Sequence, residues 1–170
     1  MNKNDRKQAD AAMGVVSTVA SELDTIKSEL EVIAQEARES ASSDTLLDPD
    51  DVVLLGEQRN MAALVLVKRA TGLWGALEEA ENTLESLSEA EQEKYDNLNE
   101  GLQASERGMA FESNAGNLSE AASEIGEVES TLSDIDVADD VTLDAAKLDD
   151  IAEQIGEAVS TLENISFDAE

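Results

Sequence analysis

Chemistry in this chain of 170 residues would have to be run by carboxylates, because it holds 40 Asp and Glu side chains and neither histidine nor cysteine. Those two absences remove the usual zinc ligands, the imidazole general base, the thiolate nucleophile and any disulfide framework. Glu78 with Glu81, and Glu93 with Asp96, have the spacing that sets two carboxylates on one helix face. A magnesium-dependent nucleotide hydrolase could use such pairs. In a chain nearly a quarter acidic they also arise by chance, and only Lys94 stands nearby to hold phosphate, so the expectation is a non-enzymatic protein. Asp134, Asp136, Asp139 and Asp140 suggest a calcium loop. Asp139, however, falls where an EF-hand needs glycine, and Ala145 where it needs a bidentate glutamate, which leaves helix capping and linker duty. Neither a glycine-rich phosphate loop nor a basic groove with interleaved aromatics is present, so neither a cofactor nor direct nucleic-acid binding is expected.

The acids say more as a surface than as a catalytic set. Residues 1–75 carry 13 acids and 8 bases, whereas residues 76–170 carry 27 acids and only 3 bases, Lys94, Arg107 and Lys147. A helix of about 30 residues is about 45 Å long, and segments 78–100 and 106–163 laid side by side present about one negative charge per 2 Å. Duplex DNA presents about one per 1.7 Å. A surface that imitates DNA is therefore quantitatively possible if the acids stand outside. Its candidate residues are Glu112, Glu120, Glu124, Glu127 and Glu129, with Asp149, Asp150, Glu153 and Glu157. The expected partner is the basic groove of a DNA-binding protein. Solvation of amphipathic helices, or a high-salt habitat, would produce the same composition.

Helices must carry these acids. Pro49 is the sole proline and aromatic residues are scarce, so little interrupts helical runs. Val16, Ala20, Leu23, Ile26, Leu30, Ile33 and Ala37 form one stripe, which predicts a helix over 5–38 capped by Asn4 or Asp5. Asp48-Pro49-Asp50-Asp51 is a helix start signal: a cap, proline in the first turn and acids at the positive end of the dipole. A helix over 50–87 follows, interrupted in composition by Gly56, Gly72 and Gly75, where a kink or a close approach is possible. It contains the most apolar stretch of the chain, Val52 to Leu55 and then Met61 to Val67, and such a run, apolar on all sides, predicts the buried core. Because amphipathic neighbours need not cover all of it, self-association through Met61, Leu64, Val65 and Leu66 is also expected.

Ser88-Glu-Ala-Glu91 matches a capping box and predicts a short helix over 89–97, followed by a loop to Gln103. Ser105 caps the next helix, over 106–135, and Thr142 the last, over 143–165. These two share an internal repeat at a 30-residue offset: Leu118, Ala122, Ile125, Gly126, Glu127, Ser130, Thr131, Leu132 and Ile135 recur as Leu148, Ala152, Ile155, Gly156, Glu157, Ser160, Thr161, Leu162 and Ile165. Two copies are too few for a solenoid and predict a helical hairpin, with Gly126 and Gly156 either at a close crossing or there without consequence.

The passage Glu93-Lys-Tyr95-Asp-Asn-Leu98-Asn-Glu-Gly-Leu102-Gln103-Ala-Ser105-Glu-Arg107-Gly108, with Ala110-Phe-Glu112 and Asn117 to Ala122 behind it, resembles a segment of small acidic helical proteins encoded by bacteriophages and prophages. Asn99 stands where those proteins carry proline. The resemblance covers about a quarter of the chain, implies phage origin and brings no catalytic residue with it. Locally, Tyr95, Leu98, Leu102 and Arg107 are expected to form a packed corner between helices.

The fold expected is all-α, built of long antiparallel helical hairpins or a helical bundle with coiled-coil-like packing. It divides into a hairpin over 1–87 and an acidic region over 88–170 that holds the repeat (117–135 and 147–165). Met1 to Lys7 carries positive charges with no apolar segment behind it, and no run reaches the 18 or so apolar residues of a membrane span. A cytoplasmic protein, in a host cell if phage-encoded, is the expectation. Its function is expected to be inhibition of a host defence or restriction enzyme by DNA mimicry. A self-associating scaffold and a carboxylate hydrolase are the alternatives.

Overall fold

The computed structural model describes residues 1–42, 49–135, 137–138 and 141–166. They form six helices: α1 (Lys3–Ser42), α2 (Pro49–Gly72), α3 (Trp74–Asp96), α4 (Glu100–Gln103), α5 (Glu106–Ser133) and α6 (Ala145–Asn164). No strand occurs among the described residues, and the all-α expectation holds. Four of the helices close a ring in which α1 packs on α3, α3 on α5, α5 on α6 and α6 back on α1. Their directions follow from the pairs that meet. Ser88 on α3 donates to the carbonyl of Ala115 on α5, while Glu81 meets Gly126 farther along, so α3 and α5 are antiparallel. Arg38 pairs with Asp149, and Lys27 lies against Gly156, so α1 and α6 are antiparallel as well. Lys94 near the end of α3 bonds Asp5 near the start of α1. All ring neighbours thus alternate in direction.

The core is the meeting of the four stripes. Leu23, Ile26 and Leu30 from α1, Leu77 and Leu84 from α3, Leu118, Ile125 and Leu132 from α5, and Leu148, Ile151 and Ile155 from α6 are all fully buried. At about 1.5 to 3 kcal/mol for each such side chain, this set dominates the hydrophobic stabilisation. One continuous cluster runs from Ala9 to Ile165, so residues 1–87 and 88–170 share one core.

The expected core segment proves to be peripheral. Helix α2 lies outside the ring, chiefly against α1, and the large side chains of its apolar run face solvent: Met61 is 66% exposed and Val65 65%. Only small residues, Ala63, Val67 and Ala70, are buried beneath it, with Leu64 and Leu66 partly covered. The most apolar stretch of the chain lies on α2, but four amphipathic stripes already satisfy one another and leave a fifth helix room for contact on one side only. Polar clamps hold it there. Arg59 donates to the Glu36 carbonyl, Arg69 pairs with Glu22 at 2.8 Å, and the Asn60 side-chain amide bridges the Val141 carbonyl and the Leu143 amide at 3.0 and 2.8 Å.

Element boundaries and caps differ from expectation in five places. The helix expected over 50–87 breaks at Leu73 between Gly72 and Trp74, and the short helix expected over 89–97 is the continuation of α3. Ser88 does not cap, because it lies inside α3 with no helix start beside it; its hydroxyl donates to the Ala115 carbonyl across the α3–α5 contact. Four residues inside the loop expected from Asn97 form α4, with the Asn99 side chain accepting from the Leu102 amide. Asn2 rather than Asn4 or Asp5 caps α1, and Asp144 rather than Thr142 caps α6, accepting from the Lys147 amide at 2.8 Å. Ser105 caps α5 as expected, accepting from the Gly108 amide at 3.3 Å. The expected start cap Asp48 and the acids Asp136, Asp139 and Asp140 lie outside the described residues.

Candidate partner-binding surface

The stripes that build the core decide where the acids point. On α5 the buried line Leu118, Ala121, Ala122, Ile125 and Val128 leaves Glu120 and Glu127, seven residues apart, on the opposite side of the helix, with Glu112 exposed about two turns before them and Glu124 half-buried at the margin. On α6 the buried line Leu148, Ile151, Ala152, Ile155 and Val159 does the same for Asp150, Glu153 and Glu157, all exposed. Helix α3 adds Glu78, Glu79, Glu85, Glu89, Glu93 and Asp96, likewise exposed. The three helices adjoin in the ring, which makes the acidic faces neighbours.

Two of the nine candidate acids are diverted from that surface. Asp149 is held by Arg38 of α1. Glu129 turns towards α3, where its carboxyl lies beside that of Glu81. Glu81 lies across the α5 backbone at Gly126, where an added Cβ would sit 2.9 Å from its Oε1. Burial, then the neighbouring Glu129, with Glu85 and Glu78 behind it, hold the Glu81 carboxyl above its ordinary range. Gly126 thus marks the passage of one side chain, and its repeat counterpart Gly156 does the same for Lys27, whose Cε would lie 3.2 Å from an added Cβ. The repeated helices use their equivalent glycines against different partners, α3 and α1.

The few cations of the acidic half are largely engaged. Lys94 bonds both Asp5, at 3.0 Å, and Glu91, a residue only 1% exposed whose other oxygen lies 3.4 Å from the Met1 amino nitrogen. Burial acts to lower the Lys94 pKa, but the two carboxylates outweigh it and hold it above its ordinary value. Asp5 is held below its ordinary value: burial opposes this, and the bonds from Lys94 and Asn2 prevail. Arg107 stands over the ring of Phe111, 5.4 Å from its centroid. Of the corner expected here, Tyr95 and Leu98 are half-buried while Leu102 and Arg107 face solvent. What fixes the corner is Gly108, buried against the Leu102 and Gln103 carbonyls in a space that admits no Cβ.

Among the described residues no group of three or more carboxylates converges as a metal site, and no helix is long and apolar enough to cross a membrane. The Glu78/Glu81 pair is split, because Glu78 faces solvent and Glu81 faces α5. Sequence reasoning missed the Glu81–Glu129 contact and the Asp5–Glu91–Lys94 cluster. Glu81 carried a signal in its three-residue offset from Glu78, between the buried Leu77 and Leu84. Comparison of the chain with family models, with curated proteins and with solved structures finds no match, so the reading of function rests on its own surface.

Proposed function

We propose that this protein is a non-enzymatic binding protein whose acidic helical surface occupies the basic nucleic-acid groove of another protein. The supporting observation is the outward row Glu120, Glu127, Asp150, Glu153 and Glu157, flanked by Glu112 and Glu124, on helices whose opposite sides are locked into the core. Helices α3, α5 and α6 together carry 19 acids against 3 bases, so most of the negative charge on this side is uncompensated. A rigid array of carboxylates is pre-organised for a groove shaped to a polyanion and steers its approach. The resemblance of residues 93–122 to prophage proteins suggests the partner class, a DNA-binding defence or restriction enzyme in a host cell's cytoplasm. The test is to isolate a partner that binds this protein from such a host and to ask whether duplex DNA competes for it. Competition, with affinity falling steeply as salt rises, supports the reading, whereas a ternary complex with DNA rejects it.

A second reading, self-association through α2, is favoured by a separate observation. Large apolar side chains, among them Leu54, Met61 and Val65, point away from the bundle. Of the four residues expected to mediate it, Met61 and Val65 are available, while Leu64 and Leu66 are partly committed to the core. Sedimentation over a range of concentrations tests it, and a compact monomer throughout would reject it.

A further inference from the structure

Helix α2 differs from the rest of the molecule in charge as well as in position. It carries three acids and three bases, within a chain of net charge −29. Its solvent face is set by the inward residues Ala63, Val67 and Ala70. Opposite them, on one line along the helix, lie Leu54, Met61, Val65 and Gly72, bordered by Glu57, Gln58 and Lys68. This line is complementary to its own reversal. Turned end for end about a point beside Ala63, Leu54 of one helix meets Gly72 of the other, Met61 meets Val65, and Lys68 meets Gln58 with Glu57 beside it. The large residue faces the missing side chain: Gly72 is exposed, and a Cβ there would have nothing within 4 Å.

Resting on the self-association reading above, we infer that the occupant of this face is a second copy of the chain, with the two α2 helices antiparallel and related by a two-fold axis beside Ala63. Such an isologous contact closes on itself and does not propagate. It brings together the neutral elements and leaves the acidic bundles outermost, where salt screens their repulsion over a Debye length of about 10 Å at 0.1 M. Val32 of α1, also exposed, borders the same face and extends the apolar contact. Self-association through α2 accordingly strengthens with salt, the reverse of binding to a basic groove.

The cysteine-free chain allows a direct test by cross-linking. Full-length Leu54→Cys and Gly72→Cys proteins are mixed under mild oxidation, and each is also oxidised alone. In the antiparallel register the mixed pair forms a disulfide and Leu54→Cys alone does not, because its two copies stand about 27 Å apart, against Cα separations of about 4.4 to 6.8 Å in disulfides. Rapid cross-linking of Leu54→Cys with itself would overturn the antiparallel arrangement while leaving self-association through α2 standing. Sedimentation of Met61→Glu/Val65→Glu is the second arm. Both residues are exposed in the single chain, so the variant folds with an unchanged circular dichroism spectrum, and dimerisation weakens by about 30-fold or more. A variant that dimerises as before would overturn both the register and the reading it rests on, as would a wild-type chain that stays monomeric at high salt.

Discussion

Gly108 and Gly116 stand eight residues apart in one helix, and a methyl group added to each has opposite consequences. At Gly108 it collides with two backbone carbonyls that cannot move without opening the α4–α5 corner, so Gly108→Ala costs about 1 to 3 kcal/mol. At Gly116 it meets nothing within 4 Å, so Gly116→Ala gains about 0.5 to 1 kcal/mol from the helix preference of alanine. Chemical denaturation of the two variants measures both. A comparable contrast in sign separates two carboxylates. Glu81 is held above its ordinary pKa, so its ionised form costs stability at neutral pH, and the cost is relieved as pH falls through its folded pKa. Glu81→Gln therefore raises the denaturation midpoint at about pH 7, and its advantage over wild type shrinks at about pH 4. Asp5, held below its ordinary pKa, contributes stability that is present above its unfolded value and lost as pH falls through its folded value, so Asp5→Asn is destabilising at neutral pH and converges on wild type in acid. At this scale the sequence was legible where a residue acts on its own backbone, as Ser105 does in capping α5. It was not legible where the partner comes from another helix, because which glutamate meets Gly126 depends on how α3 and α5 are set against each other.

Helix stripes were readable, and their pairing was not. Leu23, Ile26 and Leu30, or Leu148 and Ile155, announce buried faces through spacing alone, and all are buried. Spacing does not say that α1 pairs with α6 across the whole chain, nor that the helix holding the most apolar stretch is left outside. Hydropathy misplaces α2 because it counts side chains without regard to direction: Ala63, Val67 and Ala70 face inward, whereas Met61 and Val65 face outward. Leu84→Ala, in the ring, therefore costs about 2 to 5 kcal/mol, while Met61→Ala leaves the stability of the single chain within about 0.5 kcal/mol. Thermal unfolding at low protein concentration compares the two. A larger loss at Met61 than at Leu84 would restore α2 to the core.

The whole molecule is a four-helix ring with unequal sides, the acidic surface of α3, α5 and α6 on one hand and the neutral α2 on the other. Composition disclosed the asymmetry, since the acids of residues 76–170 outnumber the bases nine to one, but not that the core would turn those acids into outward rows. Because each exposed ion pair contributes only about 0 to 1 kcal/mol, recognition through this surface has to be collective. Neutralising Glu120, Glu124 and Glu127 together weakens binding far more than any one of them, and a matched change of Glu29, Glu31 and Glu36 on α1 matters less. Glu129 is set aside from that group, since its change would also disturb Glu81. The most direct test is the affinity of the intact protein for a DNA-binding partner, measured between about 0.05 and 0.5 M salt. The affinity is expected to fall steeply across that range, with DNA displacing the protein. An affinity unchanged over the range, or a protein bound together with its partner's DNA, would contradict mimicry.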